Sequence, residues 1–185
     1  ELDVKSQKKI KASVTAEPWR LETREIAENS PEIHSAYGLR RSIVVEKDTI
    51  LDNDIENVIW AHRNKRSTWK ANLTIQGLEG YIKKGKDPLL HNTFGALIHS
   101  EYLYKITPKK LETEGAVSQF SVSVFALTAQ TNSLDQWEKE ISQIARKVTS
   151  ESREKRLKAH TDWWQSFWER SHIFVSTQNE QEKEK

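Results

Sequence analysis

The strongest indication of the fold is the stretch Phe120-Ser121-Val122-Ser123-Val124, which continues as Phe125-Ala126-Leu127-Thr128. Its first half alternates apolar and polar residues, which is the pattern of a β-strand with one buried face. In its second half both faces are apolar. The stretch therefore predicts a strand within a β-rich domain.

Period-two patterning extends over most of the chain from Lys11 to Gln130. Alternating, β-branched or aromatic runs lie at Trp19–Glu22, Ile43–Val45, Val58–Trp60 and Trp69–Gln76, and a turn is predicted at Asp52–Asp54 between two of them. Short strands at this spacing are typical of an antiparallel sandwich. We therefore predict a mainly β protein with an antiparallel β-sandwich domain over residues 1–131.

At Asn132 the pattern changes to a period of 3.6 residues. Ser133 and Gln136 form a capping box, which marks the start of a helix. Two apolar stripes follow, one made of Leu134, Trp137, Ile141, Ile144, Ala145 and Val148 and the other of Leu157, His160, Trp164, Phe167 and Trp168. We predict helices over residues 134–148 and 153–169 within a C-terminal helical linker, 132–175, and a disordered tail over residues 176–185, which lack apolar side chains.

The second predicted helix carries four large aromatic side chains close together: Trp163, Trp164, Phe167 and Trp168. Each buries roughly 150–250 Å² when it is covered, so the helix needs a broad partner surface. The preceding sandwich is one candidate, and a further domain is another, which would make this face an interdomain seam. Stacking on sugars or a membrane role is a third alternative. Trp163 lies beside the stripe, so we expect Trp163 to be exposed and Trp164 and Phe167 to be buried.

Composition excludes several classes of function. The chain has 185 residues, with 29 Lys and Arg against 27 Asp and Glu, and no Cys. Nucleic-acid binding usually requires a basic stripe, which this balance lacks, so no nucleic-acid partner is predicted. No stretch approaches the roughly 18 apolar residues of a transmembrane helix. The lack of Cys excludes disulfides, thiolate catalysis and iron–sulfur clusters.

The sequence contains no recognisable catalytic or metal-binding motif. The six His residues show no paired ligand spacing, and the carboxylates of Asp48, Asp52, Asp54 and Glu56 lack the glycine of an EF-hand loop. A hairpin turn explains these carboxylates better. We therefore predict neither a metal nor a cofactor.

The main candidate for ligand binding is the segment from Trp60 to Trp69. It contains His62, Arg63 and Asn64 between two tryptophans. Arg offers a planar fork of donors, Asn offers a donor and an acceptor, and aromatic faces suit the C–H face of a sugar. These residue types predict a site that binds hydroxyl groups. The alternative is that Arg63 and Asn64 hold a loop by bonding backbone carbonyl groups.

We expect the segment from Asp87 to Gly95 to have a structural role. Asp87-Pro88 favours a turn, and Gly95 permits a close approach of two backbones. Glu79, Asp87 and Glu101 lie near these turns. A glycosidase needs two carboxylates about 5–9.5 Å apart, and the spacing in the sequence singles out no pair.

Several short motifs follow one another in a characteristic order. They are Trp60 with His62-Arg63-Asn64, Ser67-x-Trp69, Gln76-Gly77-Leu78-Glu79, Asp87-Pro88-Leu89-Leu90 with Thr93-Phe94-Gly95, and His160 with Trp163-Trp164-x-x-Phe167-Trp168-x-Arg170-Ser171-x-Ile173. Together they resemble the N-terminal domain of unknown function of bacterial glycoside hydrolases, from about Glu17 to Val175. Those enzymes are similar to α-L-fucosidases and glycoside phosphorylases, with a β-sandwich of the super-sandwich type, a helical linker and an (α/α)6 barrel.

The resemblance implies that the acid and base carboxylates lie on the barrel, downstream of this chain, so no catalytic residue is carried over. It also implies a periplasmic or secreted location, and a glycan or the catalytic barrel as partner. The leading hypothesis is a non-catalytic β-sandwich and linker that packs against this barrel or completes its sugar site. A freestanding carbohydrate-binding module is the alternative. An independent enzyme with its site near Arg63 and Asn64 is a third hypothesis.

Overall fold

The computed structural model describes residues 1–27, 30–32 and 43–173. The strands are β1 (Leu2–Ile10), β2 (Ser13–Thr15), β3 (Arg24–Ile26), β4 (Ile43–Val45), β5 (Thr49–Leu51), β6 (Val58–Arg63), β7 (Asn92–His99), β8 (Tyr104–Thr107), β9 (Lys110–Glu112) and β10 (Val117–Gln130). The helices are α1 (Trp69–Ile75), α2 (Leu134–Thr149) and α3 (Arg153–Arg170), with a short 3-10 helix at Glu79–Tyr81. The prediction of a mainly β protein with helices at its C-terminal end is confirmed.

The strands form sheets of five, three and two strands. Their orders are β1-β10-β7-β6-β5, β2-β9-β8 and β3-β4. Within the described ranges the strand pairings are all antiparallel. The stretch Phe120–Thr128 lies inside β10, which pairs with β1 on one side and with β7 on the other. The strand that we expected from this stretch is therefore confirmed.

The five-stranded sheet is covered on both faces. One hydrophobic cluster joins it to α2 and contains Leu51, Ile59, Ala61, Leu97, Trp137, Ile141 and Ala145. A second cluster joins the opposite face to the three-stranded sheet and contains Ala16, Val58, Ile98, Leu103, Leu111 and Val122. Val58 belongs to one cluster and Ile59 to the other, because successive side chains of a strand point to opposite faces.

The chain forms two compact units, Glu1–Ala145 and Arg146–Lys185. The division falls inside α2, beyond residue 131, because Trp137, Ile141 and Ala145 belong to the core of the five-stranded sheet. The predicted tail, residues 176–185, lies outside the described residues. None of the described helices is long and apolar enough to span a membrane.

Both predicted C-terminal helices are confirmed, and so is the capping box. Ser133 Oγ accepts a hydrogen bond from the Gln136 N–H at 3.1 Å. Gln136 Oε1 in turn accepts one from the N–H of Asn132, at 3.2 Å. The turn at Asp52–Asp54 is also confirmed, because it joins the antiparallel pair β5 and β6.

The predicted strand over Trp69–Gln76 is wrong, because these residues form α1. The Trp69 N–H donates to Ser67 Oγ at 3.0 Å, and the Asn72 N–H donates to the carbonyl of Thr68 at 2.9 Å, which closes the first turn. The half-buried positions of α1 are Trp69, Ala71, Asn72 and Leu73, and three of them, 69, 72 and 73, have the spacing of one helix face. The alternation of apolar residues was compatible with this spacing, since positions 69 and 73 share a face in both structures.

The predicted strand over Trp19–Glu22 is also wrong. Residues 16–23 are irregular, and Trp19 and Leu21 are 90% and 75% exposed. The backbone of Arg20 is bonded to Asp48 at both ends: the Asp48 N–H donates to the Arg20 carbonyl, and the Arg20 N–H donates to an Asp48 carboxylate oxygen. These bonds replace those of a strand ladder.

Candidate functional site

The first two candidate residues, Trp60 and His62, lie on β6 and contribute to packing. Trp60 is half-buried against the cluster that contains Val58. His62 is buried, and its Nδ1 lies 2.9 Å from Asp48 Oδ1. The His62 ring also packs on Phe94, with ring centroids 5.0 Å apart. Both side chains are thus engaged inside the protein.

Arg63, at the end of β6, binds two chain segments that are distant in sequence. Its Nη1 donates to the His91 carbonyl at 3.1 Å and to the Thr93 hydroxyl at 2.7 Å. Its Nη2 donates to the Thr131 carbonyl at 2.8 Å. Thr93 and Thr131 are both buried. Arg63 therefore bonds backbone carbonyl groups, as the loop-holding alternative predicts.

Asn64 binds the loop that precedes β7. Its Nδ2 donates to the Leu89 carbonyl at 3.0 Å, and its own carbonyl accepts from the His91 N–H at 2.8 Å. His91 has a positive φ of 63°, which non-glycine residues seldom adopt. Gln130 supports the same loop, because its Nε2 donates to the Asp87 carbonyl at 2.6 Å. The loop is therefore held from both β6 and β10.

Asp87 organises this loop from within. Its Oδ1 accepts hydrogen bonds from the Leu89 N–H at 2.9 Å, the Leu90 N–H at 3.0 Å and the Ser67 hydroxyl at 3.0 Å. Burial alone would raise the pKa of Asp87. The hydrogen bonds and the charge of Lys70 have the opposite and larger effect, so that its pKa lies below the usual range. A carboxylate with a lowered pKa stays ionised, which suits a structural acceptor and not a general acid.

The other two carboxylates named from the sequence lie in separate segments. Glu79 begins the short 3-10 helix and is exposed, and Glu101 is exposed between β7 and β8. No cluster of three or more His, Cys, Asp or Glu side chains suited to a metal occurs in residues 1–27, 30–32 and 43–173.

Trp69 begins α1 and is half-buried. A Cβ atom on Gly85 would lie 3.2 Å from Cζ2 of the Trp69 indole. The ring is therefore packed against the backbone at Gly85. Of the candidate residues between Trp60 and Trp69, Asn64 lines an open cavity.

This cavity has a volume of about 280 Å³. Asn64, Arg66 and Thr68 contribute polar groups, and apolar side chains of Ile43, Val44 and Leu89 also line it. Arg66 was not among the residues predicted from the sequence. Its Nη1 lies 3.3 Å from Oε1 of the buried Glu46. The cavity combines hydrogen-bonding groups with apolar surface, which is the usual composition of a small-molecule site.

The aromatic residues of α3 form a continuous series of ring contacts. Trp163 is stacked on Phe167 with centroids 5.6 Å apart, and Trp164 is stacked on Trp168 at 6.1 Å. The two stacked pairs meet edge to face: the ring centroids of Trp163 and Trp164 are 4.8 Å apart. We call these four side chains the aromatic face of α3.

Most of this aromatic face is exposed. Trp163 is 55% exposed, Trp164 39% and Trp168 56%, and α3 contains no buried residue. The prediction that Trp163 is exposed is confirmed. The prediction that Trp164 is buried is wrong, and Phe167 is only half-buried.

The sequence-based search for site residues named His62 but missed its partner Asp48, whose carboxylate also pairs with the partly exposed Arg20. Arg20 Nη1 lies 3.4 Å from Asp48 Oδ1, and its guanidinium carbon lies 5.7 Å from the centroid of Phe94. The β5–β6 hairpin pairs Thr49 with Ala61, and one step outward in this register sets residue 48 opposite residue 62. This register is defined only in the folded chain.

Comparison with protein families identifies the class of this chain. Residues 1–173 match a family model, DUF5703_N, that is described as "Domain of unknown function (DUF5703)". The chain belongs to this family. Neither the curated proteins nor the solved structures gave a match.

Proposed function

We propose that this chain is a non-catalytic β-sandwich that forms the interdomain contact of a carbohydrate-active glycoside hydrolase, with the aromatic face of α3 as its docking surface. The observation that carries the proposal is the exposure of this face: Trp163 and Trp168 are 55% and 56% exposed in a helix without any buried residue. An exposed aromatic patch of this kind marks an interaction surface. The resemblance to glycoside hydrolases supports a following (α/α)6 barrel as the partner.

The arrangement of the sheets supports a sandwich as the architecture of the first unit. The five-stranded and three-stranded sheets share a hydrophobic cluster that includes Val58, Ile98 and Leu111. Residues from both sheets are fully buried there, such as Val58 and Leu111 at 0% exposure. Two antiparallel sheets that bury their inner faces against each other are the defining feature of a sandwich.

The contacts of the polar candidates support a structural role and not a catalytic one. Arg63 bonds Thr93, His91 and Thr131, and Asp87 bonds Ser67 and the backbone of its own loop. We expect the chain alone to release no product from a panel of aryl glycosides. Turnover that is abolished by Glu79→Gln, Asp87→Asn or Glu101→Gln would contradict this expectation.

Hydrogen–deuterium exchange tests the docking surface directly. We expect the reading frame that encodes this chain to continue into a region with a paired-helix pattern. In the longer protein, peptides that cover Trp163–Trp168 exchange more slowly than in the present chain, because the aromatic face is covered. Peptides around Trp19, which is 90% exposed in the other unit, serve as the matched control and exchange equally in both proteins. Equal exchange of α3 in both proteins, or a reading frame without a following domain, would contradict the proposal.

The alternative, a freestanding carbohydrate-binding module, is favoured by one observation, the cavity lined by Asn64 and Arg66. In that case α3 would need no partner domain.

A further inference from the structure

We infer that the cavity of about 280 Å³ beside the end of β6 is a binding site for a single neutral sugar residue, with Arg66, Asn64 and Thr68 as the groups that bind its hydroxyls. The inference goes beyond the interdomain contact, because it concerns the first unit and uses no residue of α3. Its volume is close to the lower end of ligand pockets, which span roughly 300–1,000 Å³. A cavity of this size suits one small ring.

Hydrogen bonds hold several of the residues that line the cavity in place. Leu89, on the apolar wall, is fixed because its carbonyl accepts from Asn64 Nδ2 and its N–H donates to Asp87. Ser67 fixes the polar wall, since its hydroxyl donates to Asp87 Oδ1 and accepts from the Trp69 N–H. A preformed site loses little conformational entropy on binding, which favours even a small ligand.

The polar groups that line the cavity differ in what they offer. Asn64 donates from Nδ2 to the Leu89 carbonyl, so the acceptor that its side chain offers is Oδ1. Arg66 has a side chain that is 64% exposed, and its guanidinium supplies several donors. Thr68 adds a hydroxyl that can donate and accept. Donors and acceptors within one small cavity match the paired hydroxyl groups of a sugar.

The charges favour a neutral ligand over an acidic one. The guanidinium of Arg66 is already paired with the carboxylate of Glu46, whose side chain is 9% exposed, at 3.3 Å. A ligand carboxylate that bound Arg66 would approach Glu46 and be repelled by it. Ile43, Val44 and Leu89 add an apolar surface that suits the C–H face of a pyranose ring.

The site is tested by titrating the complete chain with methyl β-D-glucoside, methyl β-D-galactoside and methyl α-L-fucoside, with glucuronate as the acidic comparison. The readout is the shift of the amide resonances in a ¹H–¹⁵N NMR spectrum. At least one neutral glycoside should shift the amides of Asn64, Arg66 and Thr68 in a saturable way, with a Kd on the order of millimolar. Arg66→Ala should weaken this binding by about tenfold. Arg146→Ala, an exposed arginine on α2, should leave it unchanged.

A second variant keeps the test independent of Arg66. Val44→Trp fills the cavity and should abolish the shifts, while thermal unfolding verifies that the variant is folded. The inference is overturned if no neutral glycoside shifts these amides up to about 50 mM, if glucuronate binds more tightly than every neutral glycoside, or if Val44→Trp folds and binds like the parent. None of these results depends on the aromatic face of α3, so this inference and the interdomain proposal can fail separately.

Discussion

Tryptophan has two contrasting environments in the two long helices. On α2, Trp137 is fully buried at 0% exposure and packs with Ile59 and Leu97 of the five-stranded sheet. On α3, Trp163 and Trp168 are more than half exposed and contact other aromatic rings of their own helix. Both helices carry an apolar stripe, so the stripe itself does not determine whether a side chain is covered.

Trp137 is buried because the five-stranded sheet offers it a fitted surface. Trp137 lies over Gly95, where a Cβ atom would come within 3.0 Å of the indole and 2.1 Å of the Trp60 carbonyl. The sheet therefore lacks a side chain at the one point where Trp137 needs space. A partner surface that fits the rings of α3, as the sheet at Gly95 fits Trp137, would bury them in the same way.

The largest effect is expected for Trp137→Ala. Removal of a fully buried aromatic side chain typically lowers the free energy of unfolding by about 3–5 kcal/mol. Trp19→Ala is the matched control, because Trp19 is 90% exposed, and it should change stability by at most about 0.5 kcal/mol. Urea denaturation measures both. Equal losses for the two variants would mean that α2 does not form the core of the first unit.

A smaller loss is expected for Gly95→Ala. The added methyl group would overlap the Trp60 carbonyl, and overpacking of a core costs roughly 1–3 kcal/mol. Gly115→Ala is the control, because a Cβ atom there meets nothing within 4 Å. If the thermal midpoint of Gly95→Ala matched that of Gly115→Ala, the close approach of β6 and β7 would be disproved.

The loop-holding role of Arg63 gives a third prediction. Arg63→Ala leaves the buried Thr93 and Thr131 without their guanidinium partner, and the loss of such bonds costs about 1–3 kcal/mol. The control is Arg24→Ala, whose partner Glu32 is exposed, because exposed ion pairs contribute little. The measurement is the denaturation midpoint of both variants at one pH. Equal midpoints would contradict the role assigned to Arg63.

Asp87 predicts a dependence on pH. Its pKa is lowered in the folded chain, so ionised Asp87 stabilises the fold above the ordinary Asp pKa of about 3.9, and this contribution is lost as the pH falls through the folded pKa. Asp87→Asn keeps an acceptor oxygen but removes the charge. The difference in stability between the parent and Asp87→Asn should therefore be greatest near neutral pH and should shrink in acid. A difference that stays constant down to about pH 3 would contradict the assignment.

The sequence predicted best those elements whose hydrophobic pattern fits only one type of secondary structure. The alternation in β10 and the two C-terminal stripes lead to confirmed elements. The stretch Trp69–Gln76 was misread because its alternation also fits a helix that begins after Ser67. β1 was missed because it is polar, and its pairing with β10 joins opposite ends of the first unit. Pairing at such a distance leaves no local signal.

The candidate site was predicted less well than the fold. The sequence singled out the segment around Arg63 and Asn64, but it left open whether these residues bind a ligand or hold a loop. Arg66 was missed because its role depends on the buried Glu46, which lies in a different segment. A pair that forms only through folding cannot be found from spacing along the chain.

The central claim, that α3 carries an uncovered docking face, is tested most directly by measuring the cost of Trp163→Ala twice. In the present chain the variant should lose its ring contacts with Trp164 and Phe167, about 0.5–1.5 kcal/mol by chemical denaturation. In a longer protein that includes the proposed barrel domain, the same substitution should weaken the docking of α3 by at least about 2 kcal/mol, as for a buried interface tryptophan. An equally small loss in both proteins would contradict the claim.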